Sequence, residues 1–200
     1  MQTEIKDVRP TIGFAFCGSY CVFDRVIDAL RETAKSYDII PIMSENAAGT
    51  DSRFGKAEDF RNQIKEICGR EPITTITGAE PIGPKKLLDL LVVAPATGNT
   101  IAKIAQGISD TSVTLAYKAH LRNARPVVIA VSSNDALSQN APNIGTLLNR
   151  RNHFFVPYGQ DDAIGKPTSL VARFELIPEV VAAALKGTQL QPLLTAGGGR

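Results

Sequence analysis

Tryptophan is absent from the 200 residues, aromatic side chains make up only 6%, and no charge of one sign prevails: 22 Lys plus Arg stand against 20 Asp plus Glu. A balance so near neutrality gives no reason to expect nucleic acid or an anionic membrane surface as a partner. Long apolar runs are also missing, so nothing approaches the roughly 20 residues that a membrane-spanning helix needs. Met1 to Pro10 is polar and mixed in charge, unlike a secretory signal. The three cysteines, Cys17, Cys21 and Cys68, are an odd set, and Cys17 and Cys21 are not spaced as a CxxC pair. With only His120 and His153 to assist them, they do not suggest a metal site, and read as structural thiols in a reducing, cytoplasmic setting.

What is present suits one soluble α/β domain. The hydrophobic fraction is 44% and the charged fraction 21%, and the length permits a substantial core. Strand patterns are expected at Ile12–Cys17, Asp38–Met43, Leu90–Ala94, Val127–Val131 and His153–Val156. Helical patterns cover Phe23–Ser36, Ala57–Cys68, Thr100–Gln106, Thr111–Arg122 and Asn143–Arg150, with a last helix over Ser169–Lys186 that Pro178 would kink. Ser44–Gly55 reads as a polar loop and Pro72–Thr77 as a short extended piece. Leu90–Ala94 and Val127–Val131 are continuously apolar, as strands buried on both faces are. Strand–helix alternation then predicts a doubly wound parallel sheet in a flavodoxin-like or Rossmann-like three-layer sandwich. Residues 1–190 are expected to form the domain, and 191–200, ending in three glycines and an arginine, a flexible tail.

In such sheets ligands bind outside the carboxyl ends of the strands. Four strand ends carry small polar residues: Cys17-Gly18-Ser19-Tyr20, Ser44-Glu45-Asn46-Ala47, Pro95-Ala96-Thr97-Gly98-Asn99-Thr100 and Ser132-Ser133-Asn134-Asp135. The first is neither a P-loop nor a GxGxxG turn, and each alone also reads as a tight turn or a helix cap. Four converging on one edge favour a nucleotide-like cofactor held by helix amides and hydroxyls.

The stretch Asp89 to Asp110, centred on Pro95-Ala96-Thr97-Gly98-Asn99-Thr100, resembles the Pro-Ala-Ser-Ala-Asn-Thr region of flavin-containing cysteine decarboxylases and flavin prenyltransferases. Cys17-Gly18-Ser19 is similar to their N-terminal Thr-Gly-Ser. The resemblance implies FMN, with cofactor contacts at Gly18, Ser19, Ser44, Thr97, Gly98, Asn99 and Thr100, and at Ser132 and Ser133 after the fourth strand. The decarboxylases carry Pro-Ala-Met-Asn and then Met-Trp where this chain has Val131-Ser132-Ser133-Asn134, and a catalytic His before the third strand where Arg53 to Asp89 has none. Those departures count against decarboxylation.

A fuller resemblance, over Thr50–Lys56, Gly83–Lys86, Pro95–Thr100, Lys118–Asn123, Ser132–Asp135 and Phe155–Asp162, is to the B-subunit family of dipicolinate synthases. It implies a partner, the dipicolinate synthase A-subunit, that binds NADP, and joint oxidation of a dihydro- or hydroxytetrahydro-dipicolinate to dipicolinate in sporulating bacteria. It also implies a homo-oligomer. A dicarboxylate calls for cationic recognition, for which Arg53 leads, followed by Lys56 and Asn134; Glu80 and Asp135 are proton carriers by location only. Two readings stay open, a catalytic flavoprotein subunit or a binding subunit that supports its partner's redox step, with FMN-dependent decarboxylation a weaker third.

Overall fold

The computed structural model describes residues 9–195. Thr11–Phe16 forms β1 and Asp38–Met43 forms β2, paired in parallel from Thr11 against Asp38 to Phe16 against Met43. Between them, Phe23–Ala34 is α1; its Phe23, Val26, Ile27 and Leu30 recur at helical spacing and are buried. Past β2 come Glu45–Gly49 (α2), Ala57–Cys68 (α3) and Ile76–Ala79 (α4). The segment expected to be an unbroken loop therefore contains a helical turn. The extended piece expected at Pro72–Thr77 shrinks to Ile73, which accepts from Met43 N–H and donates to Pro41 C=O, both at 2.9 Å.

Leu90–Ala96 is β3, buried at every position, and Val127–Ser133 is β4. Between them lie Gly98–Gln106 (α5) and Ser112–Leu121 (α6); Ala141–Leu148 is α7 and His153–Phe155 is β5. The parallel order β2-β1-β3-β4, with β5 beside β4, is flavodoxin-like, and its direction reverses between β1 and β3.

The chain ends differently from the expected long helix. Tyr158–Gly159 (β6) and Leu170–Ala172 (β7) form an antiparallel ribbon joined to β4 through Ser132 and Ser133, so the seven-stranded sheet is mixed. Leu170 and Phe174 fit a helical spacing, but Leu170 and Ala172 are buried with Val171 half-buried between them, a strand's alternation. The last helix is Ile177–Ala184 (α8), with Pro178 in its first turn, where a missing N–H costs nothing. Of the segment expected to be a loose tail, residues 191–195 run beside β6: Tyr158 N–H donates to Leu193 C=O and Thr195 N–H to Tyr158 C=O, each at 3.0 Å. Residues 196–200 lie outside the described residues. No helix among the described residues is long and apolar enough to cross a membrane.

Candidate functional site

At the β1/β3 reversal the carboxyl strand ends open into a cavity of ≈770 Å³. Gly18 and Tyr20 line it from the β1 side, Ser44 and Asn46 from β2, and Thr97, Asn99 and Thr100 from β3. Ser19, on the alternate side of the β1 loop, instead faces a smaller cavity of ≈150 Å³ together with Ser132, Ser133 and Asn134. Ser19 Oγ and Ser132 Oγ lie 2.9 Å apart. The four strand ends thus converge as expected, but around two cavities separated by the segment Cys17–Val22.

Local chemistry fixes the larger cavity. Thr97 caps α5, accepting from Thr100 N–H at 3.3 Å and donating to Thr100 Oγ1 at 3.1 Å. The amides of Gly98 and Asn99, in that helix's first turn, have no intrahelical acceptor and form a positive dipole end. Ser44 caps α2 by accepting from Ala47 N–H at 3.3 Å. Thr111 caps α6 in a reciprocal arrangement with Thr114. Ser112 ties that helix to β2, its hydroxyl donating to Met43 C=O at 2.6 Å and its amide to Glu45 Oε1 at 2.9 Å. Tyr20 crosses the mouth and donates to Asn46 C=O at 2.8 Å.

Three charged side chains line the cavity, and each is already engaged. Lys103 pairs with Asp110 at 2.9 Å, and Glu45 is engaged by the Ser112 amide. An anion here meets amides and hydroxyls. Cys17 lies buried at the floor, and burial pushes its thiol up to about 11 against the opposing hydrogen bond from Thr100, so it is a neutral wall.

Gly98 lines neither cavity. It is a close approach of α5 to the β4 loop: a Cβ there would lie 2.5 Å from Ser133 Oγ, 2.6 Å from Asp135 Oδ1 and 2.7 Å from Asn140 Nδ2. Those three groups form one network, Ser133 donating to Asp135 Oδ1 and Asn140 to Asp135 Oδ2 at 2.7 Å. Ser133 is thereby committed to the network, as is Asp135, one of the two expected proton carriers.

Arg53 is not part of either cavity. Its loop is a tight turn, with Ser52 and Gly55 exchanging backbone hydrogen bonds of 3.0 and 3.2 Å, and Asp51 accepts from Ala57 N–H at 2.9 Å to start α3. The turn leaves Arg53 exposed over the Phe54 ring, 4.8 Å from its centroid. Lys56 and Glu80 are exposed and line neither cavity. Neither histidine reaches the site: His120 bonds Pro126 C=O at 3.0 Å, and His153 bonds Tyr117 Oη at 2.6 Å and Arg151 C=O at 2.8 Å. Burial holds both below the usual imidazole range. Residues that pattern reading missed are Lys103, Asp110 and Thr111 at the large cavity, and Arg25 and Lys166 at the small one. Lys103 stands one helical turn after Asn99 on α5, a spacing that could have pointed to it.

A model of the flavoprotein family matches residues 2–183. The chain belongs to the flavoprotein family. Within this flavoprotein family it is 41% identical over 194 residues, 96% of each chain, to the dipicolinate synthase B-subunit of Bacillus subtilis. The crystal structure of the dipicolinate synthase B-subunit from Bacillus halodurans superposes with a TM-score of 0.88 at 38% identity, covering 96% of this chain and 98% of that one. The FMN-dependent cysteine decarboxylase SpaF shares the fold at a TM-score of 0.61 and 24% identity, over 90% of this chain and 96% of that one.

Proposed function

We propose that this flavoprotein is a flavin-binding subunit of a dipicolinate-forming enzyme. The observation that carries the reading is the cavity at the β1/β3 reversal, whose volume lies within the about 300–1,000 Å³ of cofactor sites and whose donors are first-turn amides and hydroxyls. That donor-rich lining fits FMN: Gly18 lets backbone approach a phosphate, and Ser44, Thr97, Asn99 and Thr100 supply hydrogen bonds. Bound FMN would supply an acceptor for the hydride lost when a dihydro-ring becomes aromatic. The chain's own groups bind and orient. Thr97 and Thr100 are pre-set by their mutual hydrogen bond, and Tyr20 bridged to Asn46 restricts the mouth. The similarity to the dipicolinate synthase B-subunit supports a ring dicarboxylate as substrate and a nicotinamide-binding partner, the A-subunit, that uses NADP. Self-association belongs to the same proposal.

A second reading keeps the chain as a substrate-binding subunit, with redox on the partner's nicotinamide. It is favoured by one observation: the acids at the large cavity, Glu45 and Asp110, are both engaged, which leaves proton removal to solvent or a partner group. Titrating purified protein with FMN, followed by gel filtration, separates the two. Visible flavin absorbance co-eluting with protein, and weakened by Asn99→Ala, supports the flavin reading; no retention at excess FMN refutes it in favour of the second.

A further inference from the structure

The small cavity beside Cys17–Val22 lies at the carboxyl end of β4, between Ser19 on one side, Ser132 and Asn134 on another, and Arg25 of α1. At ≈150 Å³ it is smaller than the about 300 Å³ at which whole-cofactor sites begin, and suits part of a small acid.

Its charges are unevenly committed. Lys166 Nζ is taken by Asp161, which lines the same cavity, at 3.2 Å. Arg25 is different. Among the described residues its guanidinium donates no hydrogen bond, and its one ion pair, with Glu175, is long at 3.8 Å because Arg173 holds that carboxylate at 2.5 Å. The guanidinium is stacked 5.2 Å from the centroid of the fully buried Phe174 ring, which favours this orientation. Arg25 also sits in the first turn of α1, where the helix dipole disfavours a cation. Helix stability therefore does not account for it. A guanidinium with free donors, facing two hydroxyls and an amide while the one carboxylate of the cavity, Asp161, is paired with Lys166, is an arrangement that receives a carboxylate in a two-point hydrogen bond.

We propose that this cavity is a carboxylate subsite in which Arg25 grips one carboxylate of a small cyclic acid, with Ser19, Ser132 and Asn134 adding neutral hydrogen bonds. The choice of acid, a ring dicarboxylate, rests on the dipicolinate-forming function proposed for the chain. The two cavities share the Cys17–Val22 wall, so an acid held here lies one loop's thickness from the flavin cavity.

Calorimetric titration of the full-length protein with pyridine-2,6-dicarboxylate tests it, with FMN uptake and the urea midpoint measured on the same samples. Arg25→Gln is expected to weaken acid binding at least about tenfold, the worth of a charged hydrogen bond, with FMN uptake unchanged and the urea midpoint lowered only slightly by loss of the stack on Phe174. Arg25→Lys is expected to fall between, keeping charge without the fork, and Arg53→Gln to bind normally. Unaltered affinity in Arg25→Gln overturns the subsite, as does failure of the unaltered protein to bind the acid while it still takes up FMN. Acid binding that depends on Arg25 in protein that takes up no FMN supports the subsite and refutes the flavin reading alone.

Discussion

Gly98→Ala should separate close packing from helix propensity more sharply than any other single change. Taken alone, Gly to Ala inside a helix gains up to about 1 kcal/mol. At position 98 the new methyl would stand 2.5–2.7 Å from Ser133, Asp135 and Asn140. To reach ordinary contact, near 3.4 Å, those groups must retreat by roughly 0.7–0.9 Å. Overpacking of that kind costs about 1–3 kcal/mol, and stretching hydrogen bonds to a carboxylate costs about 1.5–3 more where they break. Against the helical gain, a net loss of about 2 kcal/mol follows, or a fall in melting temperature of about 4–8 °C for a chain of this size. The same displacement tilts the first turn of α5 and should lower FMN retention. Gly145→Ala in α7 is the matched control: nothing lies within 4 Å of its added methyl, so it should stabilise by about 0.5–1 kcal/mol. Thermal melts and flavin gel filtration of the two variants decide the matter. A Gly98→Ala protein that melts at or above the parent temperature with full FMN retention refutes the reasoning.

Three further outcomes are expected. A thiol reagent at pH 8 should modify exposed Cys21 rapidly, half-buried Cys68 slowly because its thiol is pushed up to about 12 and little thiolate forms, and buried Cys17, pushed up to about 11, only on the timescale of opening; equal rates would contradict this. His120 is buried and held below its ordinary value by burial, so the native state binds fewer protons than the unfolded chain below about pH 6.5. Burial lowers His153 as well, so stability should be level above that pH and fall beneath it by up to about 1.4 kcal/mol per unit for each of the two histidines, a slope that urea titrations would show and that His120→Asn should reduce without abolishing. Tyr20→Phe removes the 2.8 Å bond to Asn46 C=O, which should cost up to about 0.5–1.5 kcal/mol of stability, visible in thermal melts, and weaken FMN retention by loosening the mouth.

The parallel half of the sheet was legible because both its faces are buried, leaving runs such as Leu90–Ala94 without alternation. The β6–β7 ribbon was not. Tyr158–Gly159 is two residues long, and Leu170, Phe174, Ile177 and Val181 happen to keep helical spacing across a strand, a turn and a helix. At the site, Gly18, Ser44, Thr97, Asn99 and Thr100 stand where strand-end reasoning expected a ligand cavity. Arg53 lies outside both cavities: charge and loop position say nothing about direction, and the Ser52–Gly55 turn sends it outward. Arg25 was invisible for the converse reason. It reads as one more solvated helical cation until the buried Phe174, 149 residues away in the chain, is seen beneath it.

The far end of α5 bears on how its near end binds. Arg150 donates to Ile104 C=O at 3.0 Å and to Ala105 C=O at 2.5 Å, closing the carboxyl end of the helix, and is steadied by Tyr117 Oη at 3.2 Å. With Thr97 at one end and Arg150 at the other, neither terminus is left to fray. A ligand arriving at the Asn99 end of the helix therefore freezes little further backbone motion. The entropy of ordering that recognition surface is lost when the chain folds, before any ligand arrives, so more of each contact formed there remains as affinity.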